Sequence, residues 1–291
     1  MYTRRNQQTL ARMAAVEGVG YWSGRDVRLE FHPAAADTGI VFVRRDLPGC
    51  PRIPATVHCR TNVPRRTNLR CGEAGVDMIE HVMATLAGLR IDNCEVSTDA
   101  EEMPGCDGSS RAFVEALDAA EIEVQDRPRL RQIVSATVRQ GTAESWIEAR
   151  PCRSGKTILQ YELDYGPQSP IGRQVLEVSL TPESFRRELA ACRTFVLQEE
   201  AEAMLLAGLG RRATFQDLLI FGAEGPIENR LRFPDECVRH KMLDMVGDLA
   251  LAGCDLIGRF SAYRSGHHLN AELVRTVLAE KRDLSRLKRC A

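Results

Sequence analysis

The sequence predicts an α+β protein of two related domains, each a sheet layered with helices. The chain has 291 residues, which is enough to build two modest cores. Its patterns run in the order strands, helices, strand and helix, and this order occurs twice. A polar, proline-containing stretch at 125–128 separates the two runs and is typical of a linker. We therefore expect an N-terminal domain over 1–126 and a C-terminal domain over 127–291.

The first domain contains three strand patterns and two helix patterns. Alternating or continuous apolar residues predict strands at 27–31, 39–43 and 94–98. Apolar residues at helical spacing predict a helix over 78–89. The turn-rich segment 102–110 follows, and Ser109 or Ser110 is placed to cap a helix over 112–120.

The second domain repeats this order with longer elements. Strand patterns lie at 132–140, 145–149, 157–163, 218–221 and 256–263. Helix patterns lie at 182–207, as one or two helices, and at 233–252 and 270–282. No repeat is visible residue by residue, so the duplication is predicted from the order of elements alone.

Composition excludes several classes of protein. Hydrophobic residues make up 44% and charged residues 27%, which is ordinary for a globular chain. Lys+Arg number 39 against 40 Asp+Glu, so the chain lacks the basic excess of a general nucleic-acid binder. No apolar run approaches the roughly 18–20 residues of a membrane span, and the first residues lack a secretory signal. We expect a cytoplasmic protein without nucleic-acid partners.

The first candidate site lies in the helix pattern at 233–252. His240, Asp244 and Asp248 are spaced four apart, which places all three on one face of a helix. An imidazole and a carboxylate one turn apart form half of a zinc site. The same pattern also fits a solvated helix face carrying an Asp–His pair. Both interpretations stay open on spacing alone.

Glu80 and His81 form a second candidate at the start of the helix pattern at 78–89. Neighbouring helical residues point about 100° apart, so these two can flank one point in space. His81 could bind a metal while Glu80 acts as base for a bound water. Alternatively, Glu80 only complements the helix dipole beside a capping histidine.

A third candidate is the segment at 265–270, which contains His267 and His268. A histidine in a glycine-containing loop is a common form of mobile acid or base. The alternative is a simple turn in which Asn270 caps the next helix. The two adjacent histidines compete for any single role.

Taken together, the three candidates form one zinc-hydrolase set. Such enzymes commonly use three protein ligands and leave the fourth position for water. In the predicted set the metal ligands are His81, His240 and Asp244. Glu80 is the general base, His267 is the general acid, and the carboxylate of Asp248 holds His267.

The chain resembles the UDP-3-O-acyl-N-acetylglucosamine deacetylase family, the zinc amidases of lipid A biosynthesis. The resemblance covers essentially the whole chain, and its matching stretches occur in family order. They lie at 79–93, 104–109, 192–195, 232–249 and 262–267. It implies two α+β domains with the active site between them, a UDP-linked acylated amino sugar as substrate, and zinc as cofactor, with iron(II) as an alternative metal.

The resemblance assigns the metal, base and acid roles to the residues already named and adds three more. Thr194 would donate to the developing oxyanion, Phe195 would pack on the sugar, and Lys241 would meet a phosphate of the UDP group. From the sequence alone, these are as well explained as helix surface, core and a solvated lysine. The Ser-Gly-His register makes His267, rather than His268, the match to the family.

The chain also departs from the family pattern around the expected substrate. Aromatic residues replace a Leu-His pair, arginines stand at and beside a glycine pair, and a methionine replaces a common threonine. These positions are Tyr21 and Trp22, Arg211, Arg212 and Ala213, and Met78. They leave two other functions open: a paralogue that deacetylates another N-acetylated sugar or nucleotide, and a non-catalytic binding protein on the same scaffold.

Overall fold

The computed structural model describes residues 5–287. The N-terminal half is mainly strands, with two short helices. Its elements are β1 (Asn6–Leu10), β2 (Ala14–Val19), β3 (Asp26–Pro33), β4 (Ile40–Arg44), β5 (Arg52–Pro54), β6 (Arg60–Thr61), β7 (Asn68–Cys71), β8 (Ala74–Val76), α1 (Glu80–Gly88), β9 (Cys94–Thr98), α2 (Arg111–Ala119) and β10 (Ile122–Pro128).

The C-terminal half contains the longer helices. Its elements are β11 (Arg131–Ile133), β12 (Val138–Gly141), β13 (Trp146–Arg150), β14 (Thr157–Asp164), β15 (Arg173–Ser179), α3 (Pro182–Ser184) with a π-helical turn (Phe185–Leu189), β16 (Phe195–Leu197), α4 (Gln198–Leu206), β17 (Leu219–Gly222), β18 (Gly225–Pro226), α5 (Glu236–Ala250), β19 (Asp255–Tyr263) and α6 (His267–Leu287).

The two main sheets have the same topology, which confirms the predicted α+β class. The first has the order β2-β3-β9-β4-β5 and the second the order β12-β13-β19-β14-β15. In each, the last strand in sequence enters the middle, antiparallel to one neighbour and parallel to the other. Helices α1 and α5 precede these central strands, and α2 and α6 follow them. The duplication is therefore structural as well as sequential.

Each half carries a small three-stranded sheet at the equivalent point of the chain. Sheet β6-β7-β8 lies between β5 and α1, and sheet β16-β17-β18 lies between β15 and α5. The sequence patterns predicted only β17 of these six strands, because two- to four-residue strands are too short to show a period. Both small sheets directly precede a helix that carries candidate site residues.

Of the one or two helices predicted over 182–207, the structure has two helical segments separated by a short strand, which the sequence did not predict. Strand β16 lies between them, since the backbone N–H of Thr194 donates to the carbonyl of Gly108 and the carbonyl of Thr194 accepts from Leu219. The strand predicted over 132–140 is also divided: β11 pairs with β19 and β12 pairs with β13.

Helices α1 and α5 pack against each other, and α5 also packs on β14 and β15 of the second main sheet. A Cβ added to Gly247 would lie 2.1 Å from the carbonyl oxygen of Glu80, so only glycine permits this approach. The close packing brings the first turn of α1 beside the middle of α5. This contact places candidate residues from two distant parts of the chain together.

The predicted boundary between residues 126 and 127 falls inside strand β10, which pairs with β1. The boundary itself stays a prediction. Among the helices of the described residues, none is both long enough and apolar enough to cross a bilayer.

Candidate metal and acid–base site

His81, His240 and Asp244 converge in one buried cluster, as the sequence predicted for a metal site. One potential ligand atom from each lies within 4.8 Å of the other two. Asp244 Oδ1 is 3.6 Å from His81 Nε2 and 3.5 Å from His240 Nε2. Ligand atoms at 2.0–2.1 Å from a tetrahedral zinc ion are about 3.3 Å apart. The donor types and their spacing therefore fit a single divalent metal.

The structure holds His240 in an orientation suited to metal binding. Its Nδ1 lies 3.1 Å from the carbonyl oxygen of Cys192, which fixes the ring with Nε2 toward Asp244. Burial lowers the pKa of His240 to about 4, although the charge of Asp244 opposes this shift. The imidazole is thus neutral near pH 7, the form that binds a metal.

Lys241 stabilises the carboxylate of Asp244. Its ammonium donates to Asp244 Oδ2 at 2.7 Å, which leaves Oδ1 facing the two histidines. Burial alone would raise the pKa of Asp244, but the charge of Lys241 outweighs it and holds the pKa well below its usual range. Asp244 is therefore ionised, as a ligand must be.

Glu80 lies at the first position of α1, directly before His81. Its Oε2 accepts a hydrogen bond from the backbone N–H of Thr67 at 3.0 Å. Burial raises the pKa of Glu80, against the lowering effect of His267 and His81. A higher carboxyl pKa favours service as a general base near neutral pH. The helix begins at Glu80 rather than at 78 because Met78 has a φ of 57°, outside the helical region.

His267 is held by Asp248, one turn of α5 beyond Asp244. Its Nδ1 lies 2.9 Å from Asp248 Oδ2, and both side chains are buried. Burial lowers the pKa of His267, but the charge and hydrogen bond of Asp248 outweigh it and raise the pKa to about 9. His267 is therefore an imidazolium at neutral pH and can donate a proton.

The expectation that His267 lies in a loop was wrong, as was capping by Asn270. Helix α6 begins at His267, since the carbonyl of Gly266 already accepts from the backbone N–H of Asn270. The Asn270 side chain instead donates to Asp248 Oδ2 at 2.8 Å. The His267 side chain is thus held at the start of a helix rather than in a mobile loop.

All of the predicted metal, acid and base residues except Asp248 line one cavity of about 780 Å³. Thr194, Phe195, Lys241 and His268 line it as well. The cavity has walls from both halves of the chain, and its size is that of a typical small-molecule site.

Thr194 and Phe195 reach the cavity from the start of β16. The Thr194 hydroxyl donates to the carbonyl of Gly108 at 3.2 Å. The Phe195 ring is 6.0 Å from that of His240, in an edge-on arrangement. Phe195 therefore lies directly beside the cluster of His81, His240 and Asp244.

The residues that depart from the family pattern have defined places. The Tyr21 hydroxyl donates to the carbonyl of Asp217 and lies 3.2 Å from that of Gly105. The Arg66 guanidinium lies 4.6 Å from the Trp22 ring centre. Both aromatic residues line the cavity.

The arginines at the glycine-pair position do not line the cavity, whereas Ala213 does. Arg212 points away from it and bonds the carbonyl of Gly24 and the carboxylate of Asp26, each at 2.9 Å. It ties the segment before β17 to the turn after β2.

Sequence reasoning missed the buried ion pair of Arg193 and Glu236. Arg193 Nε lies 2.8 Å from Glu236 Oε1, and Glu236 also accepts from the backbone N–H groups of Arg193 and Arg232. The pair clamps the segment of Cys192 and Thr194 to the first turn of α5. In the sequence, the only sign of this pair was that Arg193 and Glu236 lie within two of the stretches that match the family, at 192–195 and 232–249.

Glu236→Gln is expected to lower the free energy of unfolding by about 3–5 kcal/mol, because it leaves Arg193 charged and buried without its counter-ion. Urea denaturation measures this change. The matched control is Glu177→Gln, whose exposed partner Arg259 lies 2.6 Å away. Breaking that surface pair should cost at most about 1 kcal/mol. If both substitutions lower the free energy of unfolding equally, the buried pair of Arg193 and Glu236 does not stabilise the fold as proposed.

Comparison with known proteins shows which family the chain resembles throughout its length. The sequence matches the family described as UDP-3-O-acyl N-acetylglycosamine deacetylase over residues 7–279. It is 40% identical over 278 residues to the UDP-3-O-acyl-N-acetylglucosamine deacetylases of Brucella ovis, Brucella melitensis biotype 2 and Brucella suis biovar 1. Each alignment covers 94% of this chain and 96% of the relative.

Proposed function

Because the chain belongs to the UDP-3-O-acyl-N-acetylglucosamine deacetylase family, we propose that the side chains gathered at the larger cavity carry out that family's reaction. The enzyme hydrolyses the N-acetyl amide of UDP-3-O-acyl-N-acetylglucosamine in lipid A biosynthesis and releases acetate and a free amine. The observation that carries the residue assignment is the convergence of three ligand-type side chains beside Glu80 and His267.

The family is metal-dependent, and we assign the ion to His81, His240 and Asp244, with zinc as the expected metal. Two imidazoles and one carboxylate also suit iron(II), so metal analysis decides the identity. A bound zinc ion supplies Lewis-acid polarisation of the amide carbonyl and lowers the pKa of a water to about 7.

The protein groups on either side of the cluster then move the protons. Glu80 accepts a proton from the attacking water, since its carboxylate lies next to His81 at the cavity wall. His267 donates its Nε2 proton to the departing amine nitrogen, and Asp248 stabilises its charged form before the transfer. Base and acid are thus separate residues with separately tuned pKa values.

Thr194 is the proposed donor to the oxyanion of the tetrahedral intermediate. Its hydroxyl must rotate away from the carbonyl of Gly108 to do so, which is a change of one side-chain torsion. Phe195 would pack on the sugar from its place beside His240. Lys241 would meet a phosphate of the UDP group while its ammonium remains close to Asp244.

The test is acetate release from the acylated sugar nucleotide, with metal quantified in the same sample. We expect turnover together with one metal ion per chain. Turnover of unacylated UDP-N-acetylglucosamine is the matched comparison, and it should be much slower. Equal rates on both would favour the paralogue suggested by Tyr21 and Trp22, which line the cavity. Absence of both turnover and metal would favour a binding protein.

Asp248→Asn is expected to shift the pH dependence of kcat. Burial lowers the pKa of His267, and Asp248 is the main group that instead raises it to about 9. Activity requires the protonated ring and is lost as pH rises through this pKa. Without the carboxylate charge, the fall of kcat at high pH should move from near pH 9 toward the ordinary histidine pKa of 6.5. Asp118→Asn, at an exposed pair with Arg186, is the control. If the fall of kcat does not move, His267 is not the acid.

We propose the cytoplasm as the location, since the substrate is a nucleotide-linked sugar. The division at 126/127 likewise remains a proposal, with the cavity between the two halves.

A further inference from the structure

A second cavity, of about 480 Å³, opens between the two halves of the chain. None of its lining residues lines the catalytic cavity. Its inner wall includes Met83 of α1 and Val246 of α5, each two residues beyond a metal ligand. Two residues correspond to about 200° of helix rotation, so this wall is the opposite face of the two metal-bearing helices. We call this cavity the rear cleft.

The rear cleft combines an apolar wall with an excess of positive charge. Leu86, Leu159 and Leu249 extend the apolar wall, and all three belong to the core. Five cationic side chains and two carboxylates also line the cleft. They are Arg5, Arg90, Arg129, Arg131 and Lys156, with Asp92 and Asp255.

The two carboxylates are already neutralised. Arg5 lies 2.6 Å from Asp92 and 2.7 Å from Asp255, bridging the two halves of the chain. Arg129 lies 2.9 Å from Asp92 and 3.4 Å from Asp255. Each carboxylate thus forms ion pairs with two arginines and has little capacity to pair with another cation.

Arg90 and Lys156 form no side-chain hydrogen bond or ion pair with any described residue. The backbone of Arg90 is fixed in the left-handed region, with a φ of 63°, by hydrogen bonds that close the end of α1. Burial and the charge of Arg5 lower the pKa of Arg90, while the charges of Asp255 and Asp92 oppose this shift in part. Both side chains line the cleft and are exposed, so they are available to bind an anion there.

We propose that the rear cleft binds an amphiphilic anion, a phosphate monoester carrying a short apolar chain. The phosphate would pair with Arg90 and Lys156, and the chain would lie along the wall formed by α1 and α5. Phosphate oxygens accept charge-assisted hydrogen bonds from both types of cation. A cavity of 480 Å³ lies within the range of small-molecule sites. Binding here does not depend on the catalytic assignment.

The test is calorimetric titration of the metal-loaded protein with octyl phosphate. Inorganic phosphate carries the charge without the chain, and 1-octanol carries the chain without the charge. Each should bind at least about tenfold more weakly than octyl phosphate. The double variant Arg90→Ala/Lys156→Ala should weaken octyl phosphate by about tenfold or more. Arg25→Ala/Arg111→Ala removes two exposed arginines outside the cleft and should change nothing.

Octyl phosphate could also enter the catalytic cavity, so the titration is repeated with saturating UDP-N-acetylglucosamine. Persistent binding that is weakened by Arg90→Ala/Lys156→Ala supports the rear cleft. The proposal is overturned if the sugar nucleotide displaces octyl phosphate, or if the double variant binds it as tightly as the unmodified protein.

Discussion

His240→Ala is expected to abolish stoichiometric metal binding and, with it, deacetylase activity. The substitution removes one of three ligands from a cluster whose ligand atoms lie within 4.8 Å of one another. Loss of an outer partner of a ligand costs roughly 10–100-fold in metal affinity, so loss of the ligand itself should exceed that. Metal analysis after dialysis against a weak chelator measures the loss.

His32→Ala is the matched control for that experiment. His32 is a partly exposed histidine in β3 whose Nε2 lies 3.2 Å from Glu30. Its removal should leave both metal content and turnover unchanged. Thermal melts of both variants distinguish metal loss from unfolding. A folded His240→Ala protein that retains one tightly bound metal ion would contradict the ligand assignment.

The sequence predicted part of the candidate metal site because the geometry within one helix is regular. Residues four apart on a helix share a face, so the alignment of His240, Asp244 and Asp248 followed from spacing alone. The meeting of His81 with that helix did not follow, because no local pattern records which helices pack together. Gly247 was the physical signal: its missing side chain admits the backbone of Glu80. A glycine within a helix pattern permits a close approach by another element, but the sequence does not show which element approaches it.

Groups that act through the backbone were beyond sequence reasoning. Thr67 donates its backbone N–H to Glu80 from the segment directly before β7, which shows no periodic pattern. Likewise, the Cys192 carbonyl orients His240 regardless of the Cys192 side chain. Any residue type can supply a backbone N–H or carbonyl, so amino-acid identity cannot reveal these contacts.

Glu80→Gln is expected to lower kcat by about 10²–10⁴-fold while metal content stays at the unmodified level. The amide keeps the size of the side chain and an oxygen that can accept from Thr67, but it cannot take a proton from water. Steady-state assays with parallel metal analysis measure the change. Glu148→Gln is the control, because Glu148 is an equally buried carboxylate, 2.5 Å from Arg150 and outside the cavity.

The combination of readouts separates the possible roles of Glu80. If Glu80 were only a helix-start acid that complements the dipole of α1, the substitution would cost a few tenths to about 1 kcal/mol of stability and leave kcat unchanged. If it were a ligand, metal would be lost together with activity. A large fall in kcat with full metal occupancy and an unchanged melting temperature is the result expected of the general base alone. An unaltered rate would transfer the proton-accepting role to another group at the cavity wall.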